Sequence, residues 1–262
     1  MSTIQPKQKR WLTISLAIMV FALVSFSMMP LISSFFLVSN KTHLASSSFP
    51  SKLESEAQGY QMVLQREPEN QNALRGLFEA RLKQGNLIDA IAPLAQLAEL
   101  NPEQTDYSIL LAQAQQQTQD YEGAGTTYQK LLASHPDEML ALKGFVDLLL
   151  LQNKSAEAID LVEKSVEQSK QGQIQTDLNS LQLLLGEIYV EQQQWDQAIA
   201  LYDQAIQNDP KDFRPVLAKA LVFQEQGQKA EADPLFEEAV TLAPLEYKEN
   251  IKMMAVTNQS NS

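Results

Sequence analysis

Cysteine is absent from the 262 residues, which excludes disulfides, thiolate metal sites and a cysteine nucleophile and leaves the redox compartment open. Histidine occurs only at His43 and His135, with no second histidine within reach of either to make a metal pair. Aromatic residues supply 7% of a chain that is 44% hydrophobic, a balance that suits a helical array better than an aromatic-rich β-sandwich. No Asp or Glu precedes Glu54, whereas Lys7, Lys9, Arg10 and Lys41 do, so the net charge of −12 understates how acidic the rest of the chain is. Such a surface repels phosphate backbones, and nucleic acid is not an expected partner.

A repeat is present instead. With Asn179 as place 1, small or aromatic residues stand at place 8 (Gly186), 11 (Tyr189), 20 (Ala198), 24 (Tyr202) and 27 (Ala205), and Pro210 at place 32. From Phe213, 34 residues on, the same places hold Ala220, Phe223, Ala232, Phe236, Ala239 and Pro244. Pro68, Pro102 and Pro136 are also 34 apart. Small residues at 8 and 20 let two antiparallel helices approach, the one at 27 lets the next unit stack, and aromatics at 11 and 24 fill the space between helices. Proline at 32 ends the second helix. On these residues the chain resembles the tetratricopeptide repeat family, whose period is 34.

The resemblance implies an all-α protein, a TPR α-solenoid of about five full repeats with a terminal half repeat and a C-terminal capping helix. The half repeat is Leu53 to Pro68, keeping Tyr60 at place 24 and Val63 at 27. Full units begin at Gln71, Thr105 and Met139, the last diverging with Ser165 at place 27 and Lys170 in the proline position. Pro136 and Pro210 are 74 residues apart, six more than two periods, which places a longer loop around Gln171 to Leu178. Leu245 to Val256 is apolar on one face and reads as the cap.

Upstream, residues 1–10 form a basic flank and 11–38 an uncharged apolar stretch. About 20 helical residues at about 1.5 Å each cross a bilayer core, so 11–38 is read as one transmembrane helix, an uncleaved signal anchor. Lys7, Lys9 and Arg10 before it put the N-terminus in the cytoplasm and the repeats on the extracytoplasmic side, in periplasm or lumen. Residues 39–52 are a Ser-rich tether, 53–256 the repeat domain and 257–262 a disordered tail. A cleaved signal peptide stays open as a second reading.

The family resemblance also implies a concave groove lined by places 5 and 9 of each first helix, where a protein or peptide ligand sits. Here those places hold Arg75 and Glu79, Ile109 and Gln113, Lys143 and Asp147, Leu183 and Glu187, and Leu217 and Leu221. Cations gather at the N-terminal half and apolar side chains at the C-terminal half. Arg75 with Glu79, and Lys143 with Asp147, are equally readable as surface i,i+4 pairs. The variant that binds chaperone tails keeps Lys and Asn at places 5 and 9, and Glu79, Leu110 and Gly144 depart from it. Gly123 and Gly125 lack the Lys-Ser/Thr of a phosphate loop. The expectation is a non-enzymatic, membrane-anchored scaffold for assembly or maintenance of a membrane or envelope complex, with no cofactor and no metal. Two narrower alternatives are a periplasmic-side factor similar to TPR proteins of c-type cytochrome biogenesis or protein translocation, and a secreted interaction protein.

Overall fold

The computed structural model describes residues 49–256, so the expected flank 1–10, the membrane span 11–38, most of the tether 39–52 and the tail 257–262 lie outside the described residues. Twelve α-helices and no strand occur among the described residues. They are α1 (Phe49–Leu64), α2 (Gln71–Lys83), α3 (Leu87–Leu100), α4 (Thr105–Gln117), α5 (Tyr121–Ser134), α6 (Met139–Leu151), α7 (Ser155–Lys170), α8 (Leu178–Glu191), α9 (Trp195–Asn208), α10 (Phe213–Glu225), α11 (Lys229–Leu242) and α12 (Leu245–Val256). None of these helices is long and apolar enough to cross a membrane. They form two compact units divided between Leu161 and Val162.

In the first unit each helix from α1 to α6 packs on its neighbour in sequence, and α4 also touches α6. Place 20 explains the close approach, because Ala90 and Ala124 are each 0% exposed and present only a methyl group to the facing helix. At Gly76 and Gly144 the absence of a side chain serves the same end, since a methyl there would overlap the rings of Tyr60 and Tyr128. Those tyrosines stand at place 24, one unit before the glycines. In the second unit α8 to α12 pack in sequence, and α8 also meets α10. Ala198 and Ala232 are buried at place 20, and Tyr202 lies against Gly186 within its own unit. A single apolar cluster joins Leu217, Leu221, Phe236, Ile251 and Met254, so α12 covers the end of α10 and α11.

The turn between paired helices is the same in every repeat. Place 15 is left-handed at Gly85, Gln119, Asn153, Gln193 and Gly227, with φ between 58° and 75°. The following N–H closes each turn by donating back to the place-11 carbonyl, as Asn86 does to Arg81, Asp120 to Gln115 and Gln194 to Tyr189. Glycine is missing at three of the five turns, so the hydrogen bonds hold Gln119, Asn153 and Gln193 in a region that costs about 1 kcal/mol. Asn70, Asn86, Asp120, Glu138, Asp177 and Asp212 cap the starts of α2, α3, α5, α6, α8 and α10. The six-residue slip is absorbed after α7, where Gly172 turns left-handed, Ile174 is buried and Ser169 Oγ donates to the Thr176 carbonyl at 2.9 Å.

Two glycines should respond oppositely to alanine. Gly186→Ala drives a methyl into Tyr202 and should lower the free energy of unfolding by roughly 1–3 kcal/mol. Gly59→Ala, on α1 with nothing within 4 Å of the added methyl, should raise it by about 0.5–1 kcal/mol. Urea unfolding of both variants measures this, and a stabilising Gly186→Ala would show that the two helices have room to spare.

Candidate partner-binding face

In the first unit the groove places bring together side chains of unequal freedom. Arg75, on α2, is exposed and makes no hydrogen bond or ion pair among the described residues. The i,i+4 pair with Glu79 does not form, because Glu79 turns instead to Lys83 at 3.8 Å. Arg81, two positions beyond Glu79, shows the contrast: it is 9% exposed and donates to Glu54 Oε2 at 2.8 Å and Gln84 Oε1 at 2.9 Å, tying α2 to α1. On α4, Ile109 is buried at 4% exposure, and Gln113 is half-buried with an Oε1 that solvent does not reach and that accepts no hydrogen bond among the described residues. On α6, Lys143 does pair with Asp147, at 3.4 Å.

Asp147 sits where two effects oppose each other. Burial of the carboxylate pushes its pKa up, while the charge and hydrogen bond of Lys143 pull it down, and the net direction is upward. Half of its side-chain surface is nevertheless open, so solvent screening keeps the energetic consequence small. Burial first, and the Asp147 charge second, push the Tyr128 hydroxyl far above its ordinary range and keep it neutral. Tyr202 and Glu187 repeat this arrangement in the second unit, with burial again the larger cause.

The apolar half of the expected groove is corrected by the second unit. Leu183 is 3% exposed in a cluster with Ala198, Tyr202, Ala218 and Val222. Leu217 and Leu221, at 1% and 7%, belong to the cluster that α12 closes with Ile251 and Met254. These three leucines are core, because α9 to α12 cover them, and they offer no open surface. Of the second unit's expected site residues, Glu187 alone keeps partial exposure.

The second unit also holds a polar knot that no spacing of residues announces. Arg214 holds Asp212 through Nε and a terminal nitrogen at 2.7–3.0 Å, Ser180 Oγ at 3.0 Å and Asp177 Oδ2 at 3.1 Å, joining the start of α10 to the start of α8. Burial would raise the Asp177 pKa, but hydrogen bonds from Ser180 and Arg214 hold it below the usual carboxylate range. Beside this knot Asn179 donates to the Ala205 carbonyl, and Asn208 donates to Gln182 at 3.0 Å. The knot ties the two helix starts together, and its hydrogen-bonding groups find partners within the protein. His135 ends α5 and lies 3.7 Å from Glu103. Among the described residues no group of His, Asp or Glu is placed to hold a metal ion.

Comparison with known proteins bears on this arrangement. Models of the tetratricopeptide repeat match residues 75–138, 109–172 and 215–244, and one described as TPR repeat matches 186–227. Cellulose synthase operon protein C of Pseudomonas fluorescens (strain SBW25) is 29% identical over 147 residues, 55% of this chain and 11% of that protein. The chloroplastic protein SLOW GREEN 1 of Arabidopsis thaliana is 24% identical over 186 residues, 71% of this chain and 59% of that one. The chain thus spans less than two thirds of the length of either. A tetratricopeptide repeat protein from Parabacteroides merdae superposes with a TM-score of 0.54 at 17% identity, covering 80% of this chain and 81% of the other, which shows a shared fold.

The pH dependence follows from Asp147. Its folded pKa is raised, so between the unfolded value near 3.9 and the folded one the native state binds more protons, and stability falls as pH rises through that window. Asp147→Asn should flatten this fall relative to the parent protein when urea midpoints are compared from pH 3 to pH 6. Equal slopes would mean that the Lys143 pair cancels the burial of the carboxylate.

Proposed function

We propose, for a chain that carries tetratricopeptide repeats over residues 75–172 and 186–244, that it is a membrane-tethered scaffold holding a segment of a partner protein on the first-helix face of its first unit. The observation that carries this reading is Arg75, an exposed guanidinium without a partner at place 5. One helix pair on, at place 9, Gln113 adds a carbonyl oxygen shut off from water and lacking a donor. A buried acceptor left unpaired costs about 1–3 kcal/mol, and rotation of the Gln113 side chain outward to a backbone N–H of an extended segment relieves it. A carboxylate on the same segment completes Arg75 by a charge-assisted pair. Lys143 and Asp147 supply a charged, self-compensated flank that sets register more than affinity. The scaffold serves assembly or maintenance of a membrane complex, and its work is positioning, with no chemical step.

The anchor in this reading is the uncharged stretch 11–38 with Lys7, Lys9 and Arg10 before it, which supports a cytoplasmic N-terminus and repeats on the far side. Protease added to sealed, right-side-out spheroplasts should digest the repeats, and the intact mass should include residues 1–38. Full protection reverses the orientation, and a mass lacking those residues replaces the anchor with a cleaved signal.

For the face itself, a photoreactive amino acid in place of Gln113 should crosslink one partner in native membranes. Arg75→Glu should weaken that partner's binding about tenfold or more at low salt and leave the melting temperature unchanged. Unaltered affinity in the Arg75→Glu protein would remove this face as the binding site.

A further inference from the structure

The outer face of α12 is built unlike the end of a helical stack, which solubility requires to be polar. Leu245 is 83% exposed, the most open large apolar side chain among the described residues, and Val256 is 56% exposed. Between them on the same face stand Glu249 and Lys252, whose side chains are 78% and 55% exposed. The four positions are spaced 4, 3 and 4, so they form one straight stripe, directly opposite the buried Ile251 and Met254.

The stripe is its own complement. When two α12 helices run antiparallel about a twofold axis passing between Asn250 and Ile251, position 245 of one meets 256 of the other, and 249 meets 252. Leu245 then lies on Val256 at both ends, and Glu249 meets Lys252 twice in the middle. We propose that a second copy of this chain docks here, as an isologous antiparallel pair of α12 helices. Charge decides for a second copy over an unrelated helix, because the sequence places opposite charges at mirror positions and apolar residues at the two ends, the condition an isologous contact imposes. Glu249 and Lys252 pair with each other at 2.7 Å within the isolated helix, and in the dimer they exchange partners without leaving a charge alone.

The size of the contact sets its strength. Twelve residues make a helix about 18 Å long, so the pair buries less than the roughly 1,200 Å² of a stable interface. The association is weak and depends on local concentration, which attachment of both copies to one surface raises. α12 and Arg75 belong to different units, and neither inference rests on the other.

The absence of cysteine makes the test specific. Full-length chains bearing Leu245→Cys and full-length chains bearing Val256→Cys, mixed and mildly oxidised, should give disulfide-linked dimers several times faster than either variant alone. Charge reversal supplies the second arm, read as concentration-dependent energy transfer between labelled chains. Glu249→Lys alone and Lys252→Glu alone should each lose self-association, while a mixture of the two should regain it. Neither chain of the mixture has its internal pair restored, so recovery reports contact between chains. Crosslinking at one rate in all three oxidations, or a mixture no better than its components, overturns the proposal, and circular dichroism of each variant separates either result from loss of the helix.

Discussion

The closest approach of two helices requires that one of them present almost no side chain at the crossing, and each repeat depends on that constraint. Ala90, Ala124, Ala158, Ala198 and Ala232 are buried to within 2% of completely, all at the same place of the period. Where the tyrosine of place 24 reaches furthest, the facing residue is reduced to glycine, as at Gly76, Gly144 and Gly186. The aromatic ring thus fills the space that the missing side chain leaves, and the packing density of the interior comes from pairing large with absent rather than medium with medium.

The parts of the fold visible in the sequence are those where a residue's size is dictated by a helix touching it. Alanine at place 20 and proline at 32 are such residues, and they located the helix pairs and the six-residue slip after α7. The exposure of the expected groove was less visible, because places 5 and 9 state where a side chain lies along a helix but not what covers it. Leu183, Leu217 and Leu221 look like an apolar groove in one dimension. In three, α9 to α12 supply the atoms that bury them, and the covering residues, Val222, Ile251 and Met254 among them, are distant in sequence or on another helix. Arg75 was visible as a charge but not as an unpaired one, since the choice of Glu79 between Arg75 and Lys83 is a matter of side-chain geometry.

The charged residues divide by what surrounds them. Arg81 and Arg214 are enclosed, each fixed by more than one acceptor, and they join helices that the apolar contacts alone would leave free to slide. Breaking the Arg214 enclosure would leave Asp212, whose side chain is 7% exposed, as a carboxylate in poorly solvated surroundings. Arg75 has no such duty. Its side chain is exposed on a helix, with no ion pair among the described residues.

Within each unit, helices touch their neighbours in sequence and, at most, the first helix of the next pair. Contacts of such short span form quickly, because little loop entropy is lost in making them, and folding of each unit can start at any pair and spread. The same locality governs how the native state comes apart. Within the second unit an internal helix is held on two sides and α12 on one among the described residues, so amide hydrogens there should exchange earliest in α12 and later inward, a gradient of protection that follows position in the unit rather than the hydrophobicity of each helix.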